Sequence, residues 1–315
     1  MSRATSTEAA RRSTSSLKGK KILSIYYQHK PGGLCKRLYM MFEALTAQGA
    51  EVHYIAVAPY PVTHPKLISH ILWTPFKHHR GLLFWCYFAL TAPFYAFVIG
   101  RRTRIDLVSV FGGVYGFFAL FLKLFSQTPV LTFVRADSRE IGRILKRPPL
   151  LIALEDTLLS LSLKMSQKIV AVSAPLKENI SARYGIAPEK VLVLENNISD
   201  LSRNAQSQNL SRKKLGFDNK AFIIFTMGVL DQRKNIDVLI QAAAYLDKHF
   251  ILLIAGEGPE KPRLEKMVHG LQSEVKIVFT GWLRDVSDYL NAATLFVLPS
   301  KHEGCPNALL EALSF

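Results

Sequence analysis

The chain has 315 residues and a formal charge of +16, with a mass of 35.4 kDa, a length that predicts about two domains. With 49% hydrophobic and 20% charged residues, the composition is globular and excludes wholesale disorder and collagen-like or coiled-coil architecture. The charge is uneven, +14 on residues 1–200 and +2 on residues 201–315, which points to an anionic partner for the first half. A membrane surface fits better than nucleic acid, because no zinc-finger or RNP-type motif occurs and no basic stripe carries interleaved aromatics. Cys35, Cys86 and Cys305 contain no Cys-x-x-Cys pair, which argues against a disulfide framework or structural zinc and for a reducing cytosolic compartment. No His-Glu-x-x-His run is present either, so the commonest zinc-hydrolase signature is missing.

Residues 1–20 are rich in Ser, Thr, Ala and Arg without the apolar core of a secretory signal, and predict a disordered basic tail. Lys21–Tyr27 is a short apolar run that predicts a strand. The turn signal His29 to Gly33 follows it, then a helix on which Leu34, Leu38, Met41, Phe42 and Leu45 repeat at helical spacing up to Gly49. Glu51–Ala58 predicts the next strand.

Leu82–Ile99 holds eighteen residues without a charge, flanked by Lys77 and Arg80 before and by Arg101, Arg102 and Arg104 after. It just reaches transmembrane length. Pro93 interrupts it, however, and Trp85, Tyr87 and Tyr95 lie inside it rather than only at its ends. A buried or interfacial helix is therefore predicted, with Phe84 and Phe88 on the inserting face if it meets lipid.

Further strands are predicted at Leu107–Phe111, Val130–Arg135, Lys168–Ser173 and Val191–Glu195, and helices at Tyr115–Phe125, Leu150–Met165 and Ala174–Tyr184. Ser199–Lys214 turns polar and reads as an inter-domain linker. The alternation then restarts with strands Phe222–Thr226, Phe250–Ala255, Val275–Thr280 and Leu295–Pro299. Helices Asn235–Leu246, Pro259–Leu271, Val286–Ala293 and Asn307–Leu313 lie between and after them. Strands separated by helices require parallel pairing. The fold class is α/β, with two tandem Rossmann-like domains over 21–200 and 201–315, and ligands are expected beyond the strand ends.

Seven residues separate Glu303 from Glu311, the first directly after a strand and the second inside the next helix. Eight helical residues span about 12 Å, and the backbone N–H groups from Gly304 onward open a helix N-terminus suited to an anion.

Several runs carry a resemblance: Gly228 to Ala242 with Arg233 and Lys234, Ile254 to Pro259, Phe279 to Trp282, and Pro299 to Ala312 with the Glu-seven-Glu spacing. In the first half the Gly32-Gly33 turn, Asp106, Val172-Ser173 and Val193 to Asn196 take similar places. In this set the chain resembles the retaining glycosyltransferase family 4, from about residue 20 to its end. The resemblance implies the GT-B fold, two Rossmann domains facing across a cleft, and a metal-independent reaction without cofactor that moves a sugar from a nucleotide-sugar donor to an acceptor hydroxyl with retention.

By the same resemblance Lys234 contacts the donor pyrophosphate, Glu303 faces the transferred sugar and Glu311 bonds the ribose. Gly32, Gly33, Gly228 and Gly304 let backbone approach the donor. A glycan or lipid-linked acceptor is implied on the basic first domain, and the protein is expected in the cytoplasm, peripherally on the inner face of the membrane.

Three departures accompany the resemblance. Val229 stands where the family commonly has Arg, with Arg233 four residues on as the substitute charge. Arg135, in Val134-Arg135-Ala136-Asp137, takes the place of a histidine; Arg135 and Asp137 become acceptor or phosphate candidates, since arginine is no base at neutral pH. The chain also stops just after the helix bearing Glu311, so the second domain is expected to be incomplete, with an uncovered sheet edge at Leu295–Pro299 or a neighbouring strand. These departures keep open a catalytically silent nucleotide-sugar-binding or scaffold protein. A dinucleotide-dependent enzyme is disfavoured by the lack of Gly-x-Gly-x-x-Gly after Lys21–Tyr27 or Phe222–Thr226.

Overall fold

The computed structural model describes residues 17–29, 33–79, 81–196 and 205–315. Residues 1–16 of the expected tail, Gly32, Arg80 and the first part of the expected linker lie outside the described residues. The chain divides into two compact units, Met1–Asp137 with Pro149–Leu194 and Ser138–Pro148 with Glu195–Phe315, where the sequence placed one division at 200/201.

The first unit is built on β1 (Lys21–Ile25), α1 (Gly33–Ala47), β2 (Glu51–Ala56), β3 (Leu67–Ile71), α2 (Leu82–Thr103) and β4 (Leu107–Phe111). A 3₁₀ turn (Gly113–Ala119), α3 (Leu120–Ser126) and β5 (Val130–Val134) follow. After α4 (Ser138–Ile144), which groups with the second unit, come α5 (Pro149–Met165), β6 (Lys168–Ala171), α6 (Ala174–Tyr184) and β7 (Val191–Val193). The seven strands form one sheet in the order β3-β2-β1-β4-β5-β6-β7, and each adjacent pair is parallel. Leu23, Ile55, Val108, Val110 and Ile169 are fully buried in it, as expected for a sheet covered by helices on both faces.

Three features depart from the sequence reading. The edge strand β3 has no signal in the sequence, because Ile68 and Ile71 are exposed and the Pro-rich segment before it reads as loop. The predicted helix Tyr115–Phe125 divides into the 3₁₀ turn and α3. The turn lies against α5 so closely that a Cβ on Gly116 would come within 2.0 Å of Ser162 Oγ.

The third concerns α2. Phe84, Phe88, Ala92 and Ala96, all at most 1% exposed, form a ridge at four-residue spacing that packs into the core of the first unit with Gly100. Phe84 and Phe88 therefore face inward. The expectation that they insert into lipid is corrected: their bulk is what holds α2 against the sheet.

The second unit contains α7 (Ala205–Leu215), β8 (Phe222–Met227), α8 (Ile236–Ala243), β9 (Phe250–Ala255) and α9 (Lys261–His269). It continues with β10 (Lys276–Gly281), α10 (Ser287–Ala292), β11 (Leu295–Phe296) and α11 (Asn307–Leu313). Its parallel sheet runs β10-β9-β8-β11. The outer strand β11 is two residues long and Leu295 is exposed.

The expected linker is corrected at α7, which is a docked helix. Its composition disguised this, because charge rather than an apolar stripe fixes it. Arg212 is 5% exposed overall, and its guanidinium donates to Ala292 O (3.0 Å), Asn219 O (2.5 Å) and Thr294 Oγ1 (2.9 Å). It thereby satisfies a carbonyl at the C-terminal end of α10 that the helix leaves open.

Candidate functional site

In an open parallel sheet, ligands bind outside the carboxyl ends of the strands, where the order of winding reverses. In the second unit that point lies between β8 and β11, since the chain winds from β8 toward β9 on one side and returns to β11 on the other. The loop after β8 carries Gly228, Asp231, Arg233 and Lys234; the segment after β11 carries Ser300, His302, Glu303 and Gly304. Val297 N donates to Phe225 O (2.9 Å), and Lys301 N to Arg233 O (2.8 Å). These bonds bring the two loops together.

Lys234 Nζ lies 2.5 Å from Glu303 Oε1. The lysine is 9% exposed overall and the glutamate side chain 22%. A nearly buried ammonium requires a counter-charge, and Glu303 supplies it. An incoming phosphate would offer the same ammonium a second anion.

Arg233, expected to replace the charge missing at Val229, is engaged by Asp231. Its Nε and Nη2 donate to Asp231 Oδ2 at 3.1 and 2.7 Å, and its backbone N donates to Oδ1 at 3.0 Å. Asp231 thus shapes the turn that presents Lys234 and was missed from the sequence; the Asp-x-Arg spacing at a strand end is the signal that would have found it.

The strand-end glycines seat loop on loop. A Cβ on Gly256 would stand 1.8 Å from Gly228 O, and one on Gly258 would stand 2.3 Å from Leu230 O. The contacts are sealed by Leu230 N donating to Glu257 O and Glu260 N donating to Leu230 O, both 2.9 Å. Gly228 itself has φ +155, and a Cβ there would lie 3.1 Å from Lys234 Cε, so the absence of a side chain leaves the lysine its path. Gly304 and Cys305 lead into α11, and Asn196 Nδ2 donates to Cys305 O (2.7 Å). Glu311 sits within α11, partly buried.

The first unit reverses its winding between β1 and β4, and aromatics fill the strand ends there. The Tyr26 and Tyr115 rings are 5.0 Å apart, and Tyr60 Oη donates to Tyr26 O at 2.5 Å. Burial raises the phenols of Tyr26, Tyr60 and Tyr115 above their ordinary range, so they stay neutral donors at physiological pH. Gly33 opens α1 beside them in sequence.

Arg135 stacks over the Phe111 ring, 5.4 Å from its centroid, at the end of β5. Asp137 is 8% exposed, and its carboxylate accepts from Arg183 Nη1 (2.9 and 3.0 Å) and Asn179 Nδ2 (3.0 Å) on α6. That pairing fastens the end of β5 to α6, so Asp137 acts as an anchor in this arrangement, and the structure does not bring it together with Lys234 and Glu303 in one unit.

Fold and strand-end chemistry together define an α/β protein of two Rossmann-like units whose second unit presents a charged pair at its switch point. The chain belongs to Glycosyltransferase Family 4, whose model matches residues 31–200. Residues 207–315 match the model described as Glycosyl transferases group 1.

Among similar proteins, the lipopolysaccharide core biosynthesis glycosyltransferase LpsE of Rhizobium meliloti is 31% identical over 115 residues, 36% of this chain and 34% of that protein. The UDP-Gal:alpha-D-GlcNAc-diphosphoundecaprenol alpha-1,3-galactosyltransferase of Escherichia coli is 28% identical over 163 residues, 48% of this chain and 41% of that protein. The chain thus spans between a third and a little over two fifths of these relatives. The crystal structure of Anabaena HepE in complex with UDP-glucose shares the fold, with a TM-score of 0.67 and 16% identity over 93% of this chain and 78% of that one.

Proposed function

We propose that the chain is a retaining hexosyltransferase that moves a sugar from a nucleotide-sugar donor to an acceptor hydroxyl in cell-surface polysaccharide or glycolipid synthesis. The observation that carries this reading is the Lys234–Glu303 pair at the switch point of the second unit. It is supported by the family membership, by the UDP-glucose in the HepE complex and by the UDP-Gal donor and diphosphoundecaprenol acceptor in the name of the Escherichia coli relative.

In this reading the donor diphosphate draws Lys234 away from Glu303. A compact ammonium stabilises the leaving phosphate without a metal or other cofactor. Glu303, released, accepts hydrogen bonds from hydroxyls of the sugar. Glu311 holds the ribose, and Gly228, Gly304, Gly32 and Gly33 give the donor close approach to backbone. The bond from the anomeric carbon to the phosphate oxygen breaks, and the acceptor oxygen bonds that carbon on the same face. The acceptor proton passes to the departing phosphate. Arg233, tied to Asp231, keeps Lys234 in place and adds positive charge near the leaving group, while Arg135 is the acceptor-side cation.

The acceptor is a glycan or lipid-linked glycan, and the protein works in the cytoplasm at an anionic membrane surface, without nucleic acid.

Incubation with a panel of UDP- and GDP-sugars tests the reading, with the anomeric configuration of the released or transferred sugar read by NMR. Retained configuration is expected for one donor. Inversion overturns retention, and nucleotide binding without any turnover assigns the chain to the catalytically silent class.

A further inference from the structure

We propose that the first unit docks on an anionic lipid bilayer through the outer face of α2, with the helix lying along the surface. This deepens the membrane-face reading above by naming the surface that makes the contact.

The 22 residues of α2 extend about 33 Å at ~1.5 Å each, enough to cross a membrane by length and composition. Packing decides against crossing. The ridge from Phe84 to Gly100 is locked into the core, and a Cβ on Gly100 would come within 2.4 Å of Leu122 Cδ2, which shows how closely α2 lies on α3. To span a bilayer the helix would have to abandon that core.

The opposite side of α2 is apolar as well. Leu83, Leu90 and Phe94 stand at 73, 78 and 63% exposure and recur at spacings of seven and four, which places them on one stripe with the exposed Cys86. Exposed apolar surface continues on both flanks. Trp73 is held beside α2 by Tyr87 Oη donating to its carbonyl (2.6 Å). The exposed Phe125 of α3 packs its ring 5.7 Å from Phe97. A continuous apolar face of this kind marks a contact surface.

Charge identifies the occupant. Between Glu51 and Asp137 the sequence carries eight basic residues (Lys66, Lys77, Arg80, Arg101, Arg102, Arg104, Lys123 and Arg135) against one acidic residue, Asp106. That carboxylate is taken by Lys20 Nζ (3.2 Å) and Lys21 N (2.8 Å). Lys77, Arg101, Arg102 and Arg104 are exposed next to the two ends of α2. A second copy of the same face would bring these cations together, which disfavours self-association. An interfacial helix with cations at its ends and an apolar stripe between them matches the headgroup boundary of an anionic leaflet.

The test uses the full chain with phosphatidylcholine vesicles, with and without 30% phosphatidylglycerol as the probe composition (about a third anionic lipid, as in a charged leaflet). Cosedimentation on the anionic vesicles is expected, weakening as salt rises. Leu83→Glu, Leu90→Glu and Phe94→Glu combined should lower the partition coefficient at least ~tenfold, because three apolar contacts become charges repelled by the surface. Arg101→Glu with Arg102→Glu should lower it by about fivefold or more per position. A polarity-sensitive fluorophore on Cys86, with Cys305→Ser removing the other accessible thiol, should shift to the blue only with anionic vesicles.

Circular dichroism and UDP affinity should be unchanged in the outward-facing variants, so failure of the donor reading and failure of the docking face appear in separate readouts. Wild-type partitioning by the triple variant, or equal binding to neutral and anionic vesicles at low salt, overturns the proposal. So does a concentration-dependent dimer that the triple variant abolishes.

Discussion

Lys234 Nζ and Glu303 Oε1 meet at 2.5 Å although sixty-nine positions separate them in sequence. Neighbouring parallel strands deliver both loops to the same sheet edge, and the pair leaves neither charge alone in a largely buried setting. In the proposed reaction the two groups part to serve different portions of one donor, which makes their substitutions distinguishable.

Lys234→Ala should weaken UDP or GDP binding about ten- to hundred-fold, the usual cost of roughly 1.5–3 kcal/mol for a lost charge-assisted hydrogen bond, and Glu311→Ala should do the same. Glu303→Gln removes the anion that competes for Lys234, so it should leave nucleoside diphosphate affinity unchanged or tighter while sugar transfer falls. Calorimetry with UDP and GDP, beside a transfer assay, reads both. Weaker diphosphate binding in Glu303→Gln would show that the pair must stay intact to receive a phosphate.

Arg212→Ala should destabilise the second unit by about 2 kcal/mol, because it leaves the buried Ala292 carbonyl without its donor and removes the tie between α7 and α10. Arg212→Lys should rescue only part, since an ammonium cannot reproduce the fork of donors. Urea unfolding measures both. Near-equal stability of Arg212→Ala and wild type would mean that α7 is dispensable for the unit.

Gly256→Ala should be costly for two reasons that act together. Its φ is +138, and the added methyl would stand 1.8 Å from Gly228 O, a backbone atom that cannot step aside without moving the loop that presents Lys234. A loss of about 3 kcal/mol or more is expected, with weakened UDP binding at temperatures where the variant remains folded. A control at Gly216→Ala, where no atom lies within 4 Å and only the positive φ is strained, should cost about 1 kcal/mol. Thermal unfolding of the two variants compares the terms.

The first unit should lose stability in mildly acidic solution. His53 Nε2 bonds Glu51 Oε1 (2.7 Å) and His53 Nδ1 bonds His70 Nε2 (2.8 Å), so with an ionised glutamate His53 donates to the carboxylate and accepts from His70. Burial, the largest cause, holds His70 below its ordinary value. The unfolded chain therefore takes up this proton first. The stability due to neutral His70 is complete above ~6.5 and is lost as pH falls through its lowered folded value. The His53 hydrogen bond, the largest cause, lowers the Glu51 carboxyl, which adds a further loss of the same sign at more acidic pH. His70→Gln should flatten the part of the decline nearest pH ~6.5, as read from urea midpoints against pH, with the His70 ring titrating low by NMR. An unaltered slope in the variant would remove His70 from the account.

The alternation of strands and helices was legible because each β-strand of the two sheets except β3 is a short apolar run with polar or glycine punctuation, and buried parallel strands need little else to declare themselves. Glu303, Glu311, Gly228 and Lys234 were legible as spacing around strand ends, where the family resemblance gave them roles. Other features had no local signature. α7 read as linker because Arg212 and its carbonyl partners, not an apolar stripe, hold it in place. β3 was not predicted because an exposed edge strand need not alternate. The inward and outward faces of α2 were indistinguishable in sequence, since both are apolar and hydrophobic periodicity is blind to a helix with two apolar sides. Periodicity and motif spacing are properties of the chain itself, so the sequence alone determined the fold class and the strand ends to which the proposed chemistry is assigned. Which carboxylate meets which cation, and which side of α2 is free, depend on surfaces that exist only after distant segments pack, and those the tertiary structure decided.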